Sequence, residues 1–244
     1  AVGADAVVGN MTAGGTDSIL AAVKTARDWA RVHRPPARSP EIILPQTAHP
    51  AFDKAAHYFG LRVVRTPVDA GFRADPTAVA AAVNANTILI VGSAPSYPHG
   101  VVDPIPALAE IAARHGILCH VDACVGGFVL PFAEKLGYPV PPFDFRVPGV
   151  TSMSADLHKY GYAAKGASVV LYRGPELRKF QFFVTTSWPG GIYASPALAG
   201  TRPGGAMAAE WAVMNYLGEE GYCRIVDTMM RTAGQMRAGI DAIP

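Results

Sequence analysis

Short runs of apolar, largely β-branched residues alternate with longer stretches of helical periodicity along most of this chain, and that alternation restricts the fold more than any other feature. Strands are predicted at Glu41–Leu44, Leu61–Arg65, Thr87–Val91, Ile117–Asp122, Val150–Ala155 and Ser168–Tyr172. Several are apolar almost throughout, the pattern of strands covered on both faces. Helices are predicted at Thr16–His33, Pro50–Phe59, Pro76–Val83, Pro104–His115, Met207–Leu217 and Ile225–Ile240. Three open with proline, after His49, Asp75 and Asp103, where a missing N–H costs nothing and the two aspartates can cap. Strand and helix at this spacing imply βαβ units, hence an α/β fold with a mainly parallel sheet flanked by helices. Such sheets bind ligands beyond the carboxyl ends of their strands. The proline-rich segments Arg34–Pro40 and Pro139–Pro148 read as connections within one domain.

Composition narrows the class. The chain has 244 residues, half of them hydrophobic and only 16% charged, enough to bury a sizeable core. A net charge of +2 calls for neither nucleic acid nor an anionic membrane. The greasiest run, Gly116–Phe132, contains His120 and Asp122 and does not read as a membrane span. Three cysteines without a CxxC pair argue against a disulfide framework, so a reducing, cytoplasmic setting is expected. No secretory signal is visible, and the chain reads as part of a longer polypeptide.

Four stretches carry residues capable of chemistry. Asn10–Ser18 (NMTAGGTDS) opens a long helix, where small residues and free N–H groups suit a phosphate; it is neither a Walker loop nor GxGxxG. On its own it is also an ordinary glycine turn capped by Thr16, Asp17 or Ser18. Ile117–Asp122 is apolar until its end, where an ionised acid needs a cation or several donors unless it serves as a cap. Strand period puts His120, Asp122 and Cys124 on one face, so a metal site is weighed, against poor tetrahedral geometry from three alternating residues. His49 lies between a strand and a helix, and Tyr97 in a turn-rich loop at a strand's carboxyl end. Finally, Ser154, Asp156, His158 and Lys159 follow the Val150–Ala155 strand, with Lys165 six residues on. A desolvated lysine near another cation loses its proton readily and can form a Schiff base. Taken together, an anion loop, a strand-end acid and a strand-end His-Lys match the needs of pyridoxal phosphate.

The ordered set TAGGTDS, QTAHPAFDKAAHYFG, SAPSYPHGVVDP, HVDACVGGF, SADLHKYGYAAKG and GGIYASPALAGTRPGG resembles the sphingosine-1-phosphate lyase family, from about Val8 to at least Tyr222. That family belongs to the fold-type-I pyridoxal-phosphate enzymes, near the group II decarboxylases. The resemblance implies that Lys159 carries the cofactor as a Schiff base and that Asp122 keeps the pyridine nitrogen protonated. It implies His49 stacked on one ring face and Cys124 against the other. Gly15 and Thr16 match part of the phosphate cup, with Ser154 and His158 beside that phosphate. Gly200 and Thr201 match residues that reach the phosphate across a homodimer interface. Tyr97 is similar to a residue near the reacting centre, and Lys165 to a lysine that binds the substrate's phosphate.

The activity implied is retro-aldol cleavage of a phosphorylated sphingoid base to a long-chain aldehyde and phosphoethanolamine. Family members are longer, so this chain is expected to be the single cofactor-binding large domain, residues 1–244, without the N-terminal segment and C-terminal small domain. Three other readings stand beside it. They are a group II amino-acid decarboxylase with the same cofactor residues, a metal-dependent hydrolase built on His120, Asp122 and Cys124, and a non-catalytic fragment.

Overall fold

The computed structural model describes residues 7–34 and 39–243. Residues 35–38 of the expected Arg34–Pro40 connection lie outside the described residues. Seven strands form one sheet: β1 (Val7–Thr12), β2 (Glu41–Pro45), β3 (Arg62–Thr66), β4 (Thr87–Ser93), β5 (Leu118–Asp122), β6 (Ser152–Ala155) and β7 (Ser168–Arg173). Their spatial order is β1-β7-β6-β5-β4-β2-β3. All pairings are parallel except those of β7, which runs antiparallel to both β1 and β6. The reason lies in the connections. Parallel neighbours here are joined through helices, whereas the segment from Asp156 to Ala167 turns straight back, which only an antiparallel neighbour permits. Because β7 reverses, β1 points the same way as β6, and β7 begins at the edge where the parallel strands end.

Helices cover both faces. On one, α1 (Gly15–His33) packs against α2 (Ala51–Phe59), sealing Ile42 and Leu44 of β2 and Leu89 and Val91 of β4. On the other, α3 (Pro76–Ala82) and α4 (Ile105–Arg114) cover Ile43, Ile90, Cys119 and Val121, joined by Phe143, Phe145 and Val147. This two-sided cover explains why β2 and β4 read as unbroken apolar runs. The expected starts of α1 to α4 hold to within a residue. Asp75 caps α3, accepting from the Thr77 N–H at 2.8 Å. Asp103 departs from the expectation of a cap for α4. Its carboxylate instead accepts from the Ala74 N–H at 2.8 Å and the Ser93 N–H at 2.7 Å, tying two loops together.

Further elements follow: the short helices α5 (Leu130–Lys135) and α6 (Pro175–Arg178), a hairpin of β8 (Phe183–Trp188) and β9 (Gly191–Ser195), and α7 (Gly204–Asp241). The two helices expected near the C-terminal end run on as α7, broken only by non-helical backbone at Gly218 (φ 57°). Among the described residues, no helix is long and apolar enough to cross a membrane.

Candidate active site

The carboxyl ends of β4, β5 and β6 meet in register, with Ser93 opposite Asp122 and Asp122 opposite Ser154. Beyond this edge opens a cleft of about 680 Å³. Gly15, Thr16, His49, Tyr97, Asp122, Cys124, His158 and Lys159 all line it, so eight of the expected site residues converge from five separate segments. Ser154, Lys165, Gly200 and Thr201 do not line it.

Lys159 stands at the centre. Its Nζ lies 2.8 Å from Oδ2 of Asp156, a carboxylate buried at the end of β6. Asp156 also accepts from the Ser168 hydroxyl at 2.6 Å. Burial pulls the Lys159 amine toward neutrality, but the hydrogen bond and charge of Asp156, reinforced by Asp122, outweigh it and raise the pKa. This reverses the expectation of an acidified lysine: the dominant neighbour is an anion, not a cation. His158 Nδ1 accepts from the amides of Gly166 and Ala167, at 3.2 and 3.3 Å, so a neutral ring carries its proton on Nε2, 3.5 Å from Asp156. Burial and the nearby Lys165 and Lys159 charges hold that imidazole below its ordinary pKa, against the pull of Asp156.

Asp122 is anchored from behind. Its Oδ1 accepts from the Cys124 N–H at 3.1 Å and contacts the Ser154 hydroxyl at 3.4 Å. Ser154 is itself fully buried, 3.2 Å from His120 Nε2 and 3.3 Å from Cys124 Sγ. The structure therefore sets Ser154 beneath Asp122, away from the cleft surface where a cofactor phosphate would lie. Burial drives the His120 pKa down to about 4, so a neutral ring sits under the acid between Ser152 and Ser154. Burial, with the charges of Asp122 and Asp156, pushes the Cys124 thiol up, and the cleft meets a neutral S–H. His120 thus spends its two nitrogens on Ser152 and Ser154, while Cys124 Sγ and Asp122 Oδ1 both meet the Ser154 hydroxyl. Among the described residues no group of three or more His, Cys, Asp or Glu is placed to hold a metal.

The glycine turn supplies the opposite wall. Gly14 precedes α1 with φ 155° and ψ 170°, a conformation essentially confined to glycine. The first helical bond runs from the Ser18 N–H to the Gly14 carbonyl, leaving the amides of Gly15, Thr16 and Asp17 ahead of it. A Cβ on Gly15 would lie 2.6 Å from Asp156 Oδ2 and 3.0 Å from Cys124 Sγ. None of Thr16, Asp17 or Ser18 caps α1 through its side chain; Asp17 accepts instead from the Ala13 N–H at 2.9 Å. His49 Nδ1 accepts from the Ala51 N–H at 3.1 Å, which turns its other nitrogen outward. Tyr97 is 78% exposed at the mouth. Asp156 and Lys54, which sequence reasoning gave no role, line the cleft too. Asp156 carried the signal that singled out Asp122, an acid at the end of a buried strand.

Residues 3–243 match the model of the pyridoxal-dependent decarboxylase conserved domain. The chain belongs to the pyridoxal-dependent decarboxylase family. A sphingosine-1-phosphate lyase of Oryza sativa subsp. japonica is 53% identical over 238 residues, which cover 98% of this chain and 44% of the relative. A sphingosine-1-phosphate lyase structure from Burkholderia pseudomallei superposes with a TM-score of 0.95 at 48% identity, covering 98% of this chain and 54% of the other. An L-aspartate/L-glutamate decarboxylase of Pyrococcus horikoshii is 40% identical, over 91% of this chain and 57% of the relative. The chain thus spans about half the length of the relatives it matches or less.

The cofactor of this pyridoxal-dependent decarboxylase domain is pyridoxal phosphate, and the donor set fits it. The cleft offers the Lys159 amine, buried against Asp156, the Asp122 carboxylate for a ring nitrogen, and a helix N-terminus for a phosphate. The floor at Gly15, which a Cβ would fill, leaves the backbone open to the ligand.

Proposed function

We propose that this chain is the cofactor-binding large domain of a cytoplasmic, homodimeric aldehyde-lyase that cleaves phosphorylated sphingoid bases to a long-chain aldehyde and phosphoethanolamine. One observation carries the reading: the Lys159 amine, the Asp122 carboxylate and the free amides of α1 face one cleft, in a chain about half identical to sphingosine-1-phosphate lyases. The lower identity to the decarboxylase favours retro-aldol cleavage over decarboxylation.

Lys159, whose Nζ faces the cleft beside Asp156, would hold the cofactor. Asp122, oriented by Cys124 N–H and Ser154, keeps a proton on the ring nitrogen. His49 and Cys124, which line the cleft, would confine the ring, and Gly15, Thr16 and His158 would hold its phosphate. Gly200 and Thr201, away from their own cleft, fit a role at the neighbouring subunit's phosphate. Bound pyridoxal phosphate supplies the electron sink that lets the bond between the amine-bearing and hydroxyl-bearing carbons break. The hydroxyl gives up its proton as the aldehyde leaves, and the carbon left behind regains one. Tyr97 and Lys159 are the groups of this chain placed to take and return these protons.

The test is a turnover assay with a phosphorylated sphingoid base, with and without added pyridoxal phosphate. Cofactor-dependent release of aldehyde is expected. Carbon dioxide from glutamate, tyrosine or histidine, without aldehyde, would establish the decarboxylase instead. Asp122→Asn should bind the cofactor and lose at least a hundredfold in turnover, the scale of a lost electrostatic stabiliser. Full activity in that variant would overturn the role of Asp122.

A further inference from the structure

Phe72 has φ 62°, in the left-handed region that a bulky side chain rarely enters. Its loop, between β3 and α3, imposes that backbone. Asp69 Oδ1 accepts from the Gly71 and Arg73 amides, at 2.8 and 2.9 Å, and the Asp69 carbonyl accepts from the Phe72 N–H at 3.0 Å. The Asp69 N–H in turn donates to the Arg73 carbonyl at 2.8 Å. Strain of this kind persists only where the surrounding structure fixes it, and it gathers at functional sites. Burial of the ring does not offset it, because Phe72 is 50% exposed. The conformation does lay the ring flat on the imidazole of His99, with centroids 4.1 Å apart and planes 4° from parallel.

His99 belongs to the loop that carries Tyr97. The Ser96 N–H donates to the Val101 carbonyl at 2.8 Å, and the Gly100 N–H to the Ser96 carbonyl at 2.9 Å. Tyr97, Pro98 and His99 therefore form the tip of one closed turn, and the fixed φ of Pro98 couples the two aromatic residues. Tyr97 is largely exposed, so packing does not hold it. The feet of the two loops are already joined by Asp103, which accepts from the Ala74 and Ser93 amides. The stack joins their tips, and two attachments remove the swing that one would leave. Tyr97 lines the cleft, whereas Phe72 and His99 do not.

We propose that Phe72, through its stack on His99, is a positioning residue that fixes the Tyr97 phenol at the mouth of the cleft. Its effect on the reaction rests on the reading that Tyr97 moves a proton there. Two flat rings carry orientation as well as attraction, which a flexible aliphatic contact does not. Proton transfer needs the hydroxyl within roughly 2.6–3.2 Å of its partner, and a displacement of about 1 Å costs up to about a hundredfold in rate. An exposed loop tip therefore needs such a clamp if its phenol is to act.

The test has two readouts. The first is fluorine NMR of cofactor-free protein carrying fluorinated tyrosine, with the Tyr97 resonance assigned by its loss in Tyr97→Phe. Phe72→Asn removes the ring but keeps a residue that tolerates left-handed backbone, and Phe72→Trp keeps a flat ring. The Tyr97 resonance should shift or broaden in Phe72→Asn and stay in place in Phe72→Trp. The second readout is turnover of pyridoxal-phosphate-loaded protein on a phosphorylated sphingoid base. Phe72→Asn should lower kcat about tenfold or more with KM within about twofold, and Phe72→Trp should keep the parental rate. In a Tyr97→Phe background, Phe72→Asn should cost no more than about twofold, because the group it positions is already gone. If Phe72→Asn does not fold, His99→Ala removes the other ring and takes its place in both readouts. An unmoved Tyr97 resonance, or a loss in the Tyr97→Phe background as large as in the parent, overturns the proposal. The lyase reading fails separately. If the parent releases no aldehyde, the resonance alone decides the clamp. If the resonance moves while Tyr97→Phe keeps full turnover, the positioning stands and the proton role of Tyr97 falls.

Discussion

Lys159 and Asp156 show how much a single contact changes the chemistry of a side chain. Desolvation alone would leave the Lys159 amine easier to deprotonate, yet Asp156 at 2.8 Å reverses the sign. Asp156→Asn removes the negative charge and leaves the desolvation. The Lys159 pKa should therefore fall, so the pH midpoint for acylation of Lys159 in cofactor-free protein, followed by mass spectrometry, should move downward. An unchanged or raised midpoint would show that Asp156 does not govern this amine. At this scale the sequence was informative about residue type and place in the chain. Asp122, His49 and Lys159 stood at strand ends, where ligands bind, and all three line the cleft. Facing was not legible. Ser154 and Asp156 are two residues apart, yet one is turned under Asp122 and the other lines the cleft, because the strand ends between them.

Asp103 belongs to the scale of elements, since it joins the loop before α3 to the end of β4. It is fully buried, and burial raises its pKa against the two backbone hydrogen bonds it accepts. Asp103→Ala would orphan the Ala74 and Ser93 amides, at roughly 1–3 kcal/mol each. A loss of about 2–6 kcal/mol is expected in chemical denaturation, while Asp103→Asn, whose carbonyl can still accept one bond, should lose less. A loss below 1 kcal/mol for alanine would show the clamp to be dispensable. Glu210 on α7 gives a prediction in pH. Burial moves its carboxyl from an ordinary 4.5 to about 7, and its Oε2 has no hydrogen-bond partner. Between these values the folded chain binds more protons at this site than the unfolded chain, so its contribution to stability falls as pH rises from about 4.5 to about 7. Glu210→Gln should flatten that part of the melting-temperature profile and melt higher than the parent at pH 8. An identical profile would remove Glu210 as the cause. β2, β4 and β5, buried on both faces, were legible as apolar runs, and the edge strand β3 through its paired valines. β1 was not, since Gly9 and Asn10 lack strand propensity and its edge position leaves it half-buried. The exposed β8–β9 hairpin was missed too, although Trp188-Pro-Gly-Gly191 marks its turn.

The whole molecule turns on one directional fact: six strands, β1 to β6, end at the same edge, and the helix entered from β1 points its free amides there. Alternation of strands and helices made that edge predictable, and the antiparallel β7 does not disturb it, because its starting end carries Lys165 and Gly166 to the same side. The two lysines of SADLHKYGYAAKG are thereby sent to different cavities, Lys159 to the cleft and Lys165 to a second one of about 130 Å³ that shares only Ala13 with it. This separation gives a test that needs no substrate. Pyridoxal phosphate at a hundred times its dissociation constant should stabilise the folded chain by about 2.7 kcal/mol. For a domain of this size, that corresponds to a melting-temperature rise of roughly 5–11 °C. Lys159→Ala should lose the visible absorbance of the bound cofactor and most of the rise. Lys165→Ala should keep both, because its side chain lies beyond Ala13 and outside the cofactor's cleft. Loss of absorbance in Lys165→Ala, or its retention in Lys159→Ala, would mean that the lysines have been assigned to the wrong cavities.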